Sequence, residues 1–278
     1  MLRFFIYSST LFTLSAFLLL SGFLLHASWP IFSVQGLHFI TSSEWYPYED
    51  LFGMLPALLG SLLSVAVALL IALPLGVAAA LFNIEIMPSC LRPWLRLLME
   101  LMAGIPSVVY GLMGLWLLVP FLEQQLELLT GRTLLAAALL LSIMVLPTIM
   151  VLSEDALRKV ADDQRQRANA LGFSWWAVVQ RILLPQAWPG IRLAALLSLG
   201  RAMGETVAVM LVIGSIDRLP EPLYNLLQPA QSLTSRIGRE IGEASVGSLH
   251  WSALMSSGLL LMLMSVAVVL LSQRRWLK

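Results

Sequence analysis

The hydrophobic positions of this chain are grouped into long apolar blocks, which short polar segments separate. A helix needs about 20 mostly apolar residues to cross the hydrocarbon core of a membrane. Six blocks reach this length, namely residues 4–25, 55–82, 97–122, 133–152, 192–214 and 251–271. Together they predict an all-α polytopic membrane protein with about six transmembrane helices, organised as a single domain over residues 1–278 of the chain.

The amino-acid composition supports a protein embedded in a lipid bilayer. Of the 278 residues, 59% are hydrophobic and 12% are charged, whereas soluble domains carry about 25% charged residues. The net charge of +1 gives no indication of a nucleic-acid partner. The first apolar block is longer than the apolar core of a signal peptide, so we expect an uncleaved anchor. The single cysteine, Cys90, excludes an internal disulfide bond.

The basic residues predict how the chain is oriented in the membrane, because Lys and Arg are enriched in cytoplasmic segments. With the N-terminus inside, twelve of the 17 basic residues lie on the cytoplasmic side and four lie outside. The remaining one, Arg201, lies within a span. We therefore expect both termini of the chain to be cytoplasmic.

Prolines interrupt several of the predicted spans, with Pro74, Pro106 and Pro147 inside the second, third and fourth. A proline inside a helix removes a backbone hydrogen bond and kinks the helix. The freed carbonyl must then find a partner within the bilayer. Such kinks suit a transporter that opens and closes, but they also occur in other membrane bundles, so both interpretations stay open on this observation.

The third block also carries polar groups around its proline. A break at Gly104 could expose backbone amides and the Ser107 hydroxyl to a transport pathway, with Tyr110 one turn further on. A simple kink in which Ser107 satisfies a free carbonyl fits the same residues. Near the start of this block Arg96 and Glu100 are four residues apart, and we expect them to form a structural pair.

The fourth and fifth blocks are separated by a strongly polar segment, residues 153–191, which the orientation places in the cytoplasm. Residues 160–171 can form a helix. Gly172 is suited to end that helix in the left-handed conformation, and Ser174 is suited to cap a second helix that starts at Trp175. The segment therefore predicts a helix–Gly–helix corner.

Three apolar residues lie near the tip of this corner: Ala168, Leu171 and Phe173. They could form a dock for a soluble partner, or they could pack against the protein's own helices. The spacing alone does not decide between these two possibilities.

The fifth block contains two charges, Arg201 and Glu205, which an uninterrupted helix places on the same face. A charge at the centre of a bilayer costs about 2.5–3.5 kcal/mol on insertion scales, so it must face the bundle interior or water. The two side chains could neutralise each other and pin helices together. Alternatively, Arg201 could line the route of an anion, because a guanidinium offers paired donors to an oxyanion.

Several kinds of chemistry find no support in the sequence. A phosphate-cradling loop needs glycines before its lysine, whereas Lys159 and Lys278 follow Arg158 and Leu277. The three histidines lie at the predicted outer edges of spans without metal-ligand spacing. The sequence therefore predicts no cofactor, no metal site and no enzymatic activity, and a pump built on this chain would take its ATP hydrolysis from another subunit.

The polar segment resembles the signature loop of permease subunits in bacterial ATP-binding-cassette importers. The resemblance rests on Gly172, nine residues, Ile182, one residue and then Leu184-Pro185. Residues 166–168 read Gln-Arg-Ala where the family has Glu-Ala-Ala. In that family the corner is a coupling helix that docks into a cleft of the ATPase, which implies coupling roles for the following four residues: Ala168, Leu171, Gly172 and Phe173.

Two further runs resemble permeases of phosphate importers. Residues 100–111 are similar to the third-span motif of those permeases, and residues 200–210 to the fifth-span motif of the C-type subunit. The resemblance covers about residues 54–214 and implies the type I importer permease fold in a bacterial inner membrane. As partners it implies an ATPase dimer, an A-type permease, a periplasmic phosphate-binding protein and phosphate itself. The resemblance supports Arg201 on the pathway of an anion without identifying the contact, and the side chains that we expect along this pathway are Arg201, Glu205, Ser107 and Tyr110.

We therefore expect a permease subunit of an ATP-driven phosphate importer that works by alternating access. A permease for another oxyanion, such as sulfate or molybdate, is the first alternative. A secondary transporter would have no use for a corner that docks an ATPase. A membrane-embedded enzyme would need clustered catalytic side chains near one membrane face, and the sequence contains no such cluster.

Overall fold

The computed structural model describes residues 2–160, 168 and 170–273. Nearly all of the regular structure is helical, with one short hairpin. The elements in chain order are α1 (Leu2–Gln35), α2 (His38–Thr41), β1 (Trp45–Tyr46), β2 (Leu51–Phe52), α3 (Leu55–Leu81), α4 (Arg92–Gly104), α5 (Ser107–Met113), α6 (Val119–Leu126), α7 (Leu134–Arg158), α8 (Trp175–Val178), α9 (Leu184–Met203), α10 (Val207–Val212), α11 (Leu233–Glu240) and α12 (Leu249–Gln273). Short 3-10 or π-helical segments lie at Pro47–Glu49, Phe82–Ile86, Gly114–Leu118 and Val179–Leu183.

Within the described residues, six helical stretches are long and apolar enough to cross a membrane. They are Phe5–Gln35, Leu55–Ile86, Ser107–Leu126, Leu134–Arg158, Trp175–Met203 and Leu249–Leu270. The predicted all-α polytopic class is therefore confirmed. The bounds of the spans differ from the predicted ones: the first extends to Gln35 instead of residue 25, and the third and fifth are shifted along the chain.

The predicted third span, 97–122, is wrong as one continuous helix. Helix α4 ends at Gly104 and α5 begins at Ser107, with Ile105 and Pro106 in extended conformations between them. The ring of a proline disfavours the helical conformation of the residue before it, which here is Ile105. Helix α4 is amphipathic, and the apolar stretch long enough to span starts only at Ser107. Pro74 and Pro147, in contrast, lie inside helices that continue past them.

The predicted fifth span, 192–214, also differs from the structure. The long apolar stretch begins earlier, at Trp175, and ends at Met203, where Gly204 caps α9. The chain resumes a helix only at Val207, the first residue of α10. Arg201 is therefore close to the end of α9, and Glu205 lies in the break rather than on the same continuous helix.

Contacts within the chain define two compact units, and the single-domain expectation stays a prediction. The first unit comprises Met1–Ser61, Ser215–Leu223 and Ala230–Lys278, and the second comprises Leu62–Gly214 and Tyr224–Pro229. In the first unit α1 packs along α12, where the Ser252 hydroxyl donates to the carbonyl of Ala27 at 2.8 Å. In the second unit α7 is the central helix, and α4, α9 and α10 pack against it.

A fully buried arginine organises the polar part of the first unit. Arg236 is 0% exposed, forms an ion pair with Asp217 and donates to the carbonyl of Gly53 at 3.0 Å. Its guanidinium carbon lies 3.9 Å from the centre of the Trp45 ring. Burial lowers the pKa of Arg236 and the Asp217 charge opposes that effect, yet an arginine stays charged in proteins. This one side chain therefore joins the hairpin, α11 and the loop that carries Asp217.

Replacing Arg236 with methionine is expected to lower the free energy of unfolding by about 3 kcal/mol, the lower end for breaking a buried ion pair, because the largely buried Asp217 would lose its closest partner and keep only Arg239, at 3.2 Å. Arg218→Met is the matched control, since Arg218 and Glu221 are exposed and 3.9 Å apart. An exposed pair of this kind contributes about 0–1 kcal/mol. Thermal unfolding of the purified chain in detergent measures both variants, and equal shifts in melting temperature would contradict this role for Arg236.

Candidate functional site

Arg201 joins three helices of the second unit at one point. Its Nη1 donates to the Thr148 hydroxyl of α7 at 3.1 Å, and its Nη2 donates to the Ala103 carbonyl of α4 at 3.1 Å. The side chain is partly buried. Arg201 itself lies near the end of α9, so the guanidinium holds the ends of α4 and α9 against the middle of α7.

The break after Gly104 explains why a carbonyl of α4 is available to Arg201. The last carbonyls of a helix have no partner within that helix. An unbroken helix would also leave the Met102 carbonyl without its usual donor, because Pro106 has no N–H. In the structure the Tyr110 hydroxyl donates to the Met102 carbonyl at 2.9 Å. Tyr110 and Arg201 therefore hold two adjacent carbonyls at the end of α4.

The second break, between α9 and α10, contains the other predicted pathway charge. Glu205 lies in this break, and its Oε1 accepts the backbone N–H of Ala208 at 3.3 Å. The carboxylate thereby helps to start α10. At the first break, between α4 and α5, Ser107 is the first residue of α5 and is partly exposed. Each break thus carries one of the predicted polar side chains.

The helices that follow the two breaks pack closely on each other. A Cβ atom on Gly111 of α5 would lie 2.9 Å from the Cα of Ala208 and 2.8 Å from a methyl carbon of Leu211, both in α10. A glycine is therefore needed for this close approach. Arg201 joins α4 and α9, the helices that end at the two breaks, and Gly111 brings together α5 and α10, the helices that follow them. The two breaks therefore lie side by side. Paired discontinuous helices form the ion and substrate sites of many transporters.

The structure places the sequence-predicted residues as follows. Arg201 and Tyr110 meet at the end of α4, but Tyr110 is 6% exposed and its hydroxyl is already bonded to Met102. Tyr110 therefore shapes the break. Two partners of Arg201, Thr148 and the Ala103 carbonyl, were not predicted. A hydroxyl on an apolar helix was the only available signal for Thr148, and no sequence signal identifies a carbonyl.

The predicted corner around Gly172 is present in the described residues. Gly172 has φ +80°, and the Phe173 N–H donates to the Ala168 carbonyl at 3.2 Å, which is the pattern of a Schellman helix end. The Ser174 hydroxyl accepts the Ala177 N–H at 3.4 Å, so the predicted N-cap of the second helix is confirmed. The predicted helix over 160–171 falls mostly outside the described residues, as do Gln166 and Arg167.

The corner has a buried side and an exposed side. Ala168 is buried in an apolar cluster that also contains Leu157 and Val178. The exposed side carries four large apolar side chains: Leu171, Phe173, Trp175 and Trp176. An exposed apolar patch of this kind marks an interaction site more often than an ordinary surface. Ala168 thus packs against the protein's own helices, whereas Leu171 and Phe173 are exposed, and the two tryptophans extend this exposed patch beyond the residues that the sequence suggested.

Six stretches that can span a membrane, together with two helices broken side by side, are typical of a transporter permease. Residues 72–277 match the family described as "Binding-protein-dependent transport system inner membrane component", and the chain belongs to that family. The family resemblance seen in the sequence is therefore confirmed. The chain is a multi-pass inner-membrane protein and a permease subunit rather than an enzyme, so the ATPase is a separate subunit.

Individual relatives agree with this assignment. The chain is 40% identical over 240 residues to a probable ABC transporter permease protein, YqgH, of Bacillus subtilis. The alignment covers 86% of this chain and 77% of the relative. It is also 35% identical over 265 residues to the phosphate transport system permease protein PstC of Mesorhizobium japonicum, in an alignment that covers 88% of this chain and 80% of the relative.

Solved structures confirm the importer permease fold. A bacterial alginate ABC transporter in complex with its alginate-bound periplasmic protein aligns with a TM-score of 0.65 and 16% identity, covering 96% of this chain and 92% of that chain. The inward-facing MetNI methionine ABC transporter aligns with a TM-score of 0.58 and 20% identity, covering 80% and 92%. Membership of a binding-protein-dependent transport family supports partners of two general kinds, an ATPase and a binding protein.

Proposed function

We propose that this chain is the permease subunit of an ATP-driven importer of inorganic phosphate. The observation that carries the proposal is Arg201, a cation held at the junction of two broken helices. Its described bonds to Thr148 and Ala103 engage two of the five N–H groups of a guanidinium. The side chain can therefore keep its position and still offer donors to an oxyanion. The phosphate transport permeases among its relatives support phosphate as that anion.

The other residues of the site have distinct roles in this proposal. Ser107, at the start of α5, offers a hydroxyl to the passing anion. Glu205 starts α10 and keeps negative charge near the pathway, which prevents the anion from binding too tightly to be released. Tyr110 acts as a positioning residue because its hydroxyl fixes the end of α4.

The energy for transport comes from a docked partner. We propose that an ATPase dimer binds the exposed patch of Leu171, Phe173 and the two tryptophans. Closure of the ATPase would then move the Gly172 corner and drive alternating access. The complex would also contain an A-type permease and a periplasmic phosphate-binding protein, with both termini of this chain in the cytoplasm.

Reconstitution tests this function directly. The complex of this chain with its ATPase, second permease and binding protein, placed in liposomes, is expected to accumulate labelled phosphate only when ATP is present. Unlabelled phosphate should compete in this assay, whereas sulfate and molybdate should not. ATP-driven uptake of sulfate or molybdate in place of phosphate would reject the phosphate assignment while keeping the importer.

A further inference from the structure

A second charged group connects α4 and α7, at a distance from Arg201. Arg96 of α4 donates through Nη1 to Asp155 of α7 at 2.7 Å, and the same atom lies 3.8 Å from Glu154. Arg96 also donates through Nε to Glu100 of its own helix at 2.8 Å. The sequence suggested only this last pair. The structure adds contacts that cross from one helix to the other.

The carboxylate at the centre of this cluster is fully buried. Glu154 is 0% exposed, and its Oε1 accepts two bonds from Arg158, at 2.9 and 2.6 Å. Its other oxygen, Oε2, has no hydrogen-bond partner among the described residues. The buried charge is therefore compensated on one side only, by Arg158 directly and by Arg96 at longer range.

Two cross-links join α4 and α7 with equal spacing. Arg201 bridges Ala103 and Thr148, while Arg96 reaches Asp155 directly. The cross-linked positions are seven residues apart on each helix, which is about 10 Å at 1.5 Å per residue. The order of the pairs shows that the two helices run antiparallel. Neither helix can slide along the other unless both cross-links rearrange.

The Arg96 cross-link lies between the corner and the Arg201 site. Helix α7 ends at Arg158, one turn after Glu154. Leu157, next to that end, belongs to the same buried cluster as Ala168 of the corner. Two connections therefore lead from the corner to the Arg201 site: the helical stretch Trp175–Met203, which carries Arg201 itself, and the end of α7, which leads past the Arg96 cross-link to Thr148.

We infer that Arg96 is a positioning residue that couples the Gly172 corner to the Arg201 site. By pairing with Asp155 and Glu154, it keeps α4 in register with α7, so that movement of the corner also moves the Ala103 carbonyl that holds Arg201. The inference rests on the proposed function. Arg96 and Asp155 are both partly exposed, and pairs of this kind contribute little to stability. The buried Glu154 keeps its direct partner Arg158 at 2.6 Å when Arg96 is replaced. Their loss should therefore leave the complex assembled.

The test compares Arg96→Gln with the matched control Glu100→Gln in the reconstituted complex. Glu100→Gln removes the pair within α4 and leaves the cross-link to α7. Phosphate transported per ATP hydrolysed is expected to fall about fivefold or more in Arg96→Gln and to stay near the wild-type ratio in the control. The apparent KM for the loaded binding protein should not change, because Arg96 does not contact substrate. Arg96→Lys should retain most of the coupling.

The double variant Arg96→Lys with Glu100→Gln separates positioning from simple loss of structure, because it keeps a positive charge opposite Asp155 and Glu154 and removes only the pair within α4. A transport-to-hydrolysis ratio near that of the wild type in this variant supports the inference. Equal ratios in Arg96→Gln and Glu100→Gln would overturn it, and so would a double variant that assembles without keeping the ratio. If the wild-type complex moves no phosphate, the proposed function fails. The inference about Arg96 can still be tested in that case, by measuring in each variant how strongly the binding protein stimulates ATP hydrolysis.

Discussion

Arg201→Gln is expected to abolish phosphate uptake while the variant chain still assembles with its partners. Glutamine keeps a donor that can reach toward Thr148 or the Ala103 carbonyl, so part of the contact between helices survives. It removes the positive charge and the paired donors that an oxyanion needs. Arg201→Lys should keep a fraction of the uptake, because an ammonium is a point charge without the planar fork of a guanidinium.

The measurement is uptake of labelled phosphate by membranes that contain equal amounts of assembled complex. Thr148→Val is the matched control, because it removes one hydrogen bond of Arg201 without changing any charge, and we expect most of the uptake to remain. A loss as large as that of Arg201→Gln would mean that Arg201 matters chiefly for holding helices together. Recovery of uptake in Arg201→Gln with Glu205→Gln would likewise reject a direct role for Arg201 in moving the anion.

The proline positions show how far sequence reasoning reaches in this fold. Pro74, Pro106 and Pro147 had the same expected effect, yet only Pro106 separates two helices. At Pro106 the carbonyls at the end of α4 have side-chain partners: the Tyr110 hydroxyl donates to the Met102 carbonyl, and Arg201, 98 positions away, donates to the Ala103 carbonyl. A sequence shows that a carbonyl will be freed, but the tertiary structure decides whether a partner is present to stabilise a full break.

Local features of the corner were predictable because they do not depend on tertiary structure. The left-handed Gly172 and the Ser174 cap depend on backbone chemistry within a few residues, and both are present. The role of the exposed Trp175 and Trp176 was not predictable, since tryptophan at the start of a membrane helix is also typical of the bilayer interface. The link from Arg96 to Asp155 spans 59 positions of the chain, and only the packing of α4 on α7 reveals it.

Gly172→Val is expected to reduce ATP-driven uptake about tenfold or more, with the membrane spans still inserted. Gly172 has φ +80°, and a Cβ atom at this position would meet none of the described residues within 4 Å. The cost of a side chain is therefore conformational rather than steric, about 1–2 kcal/mol for an ordinary residue in the left-handed region, and it is greater for a β-branched one. The variant should relax to another turn and displace Leu171 and Phe173 from the exposed patch.

Gly172→Asn is the matched control, because asparagine accepts the left-handed conformation and also adds a side chain at the tip. We expect it to retain most of the uptake and to retain the ATPase in a pull-down, whereas Gly172→Val should lose both. Equal losses in the two variants would show that space at the tip, rather than the turn, is what the partner needs. A valine variant that binds the ATPase and transports as the wild type does would show that the corner is not the dock.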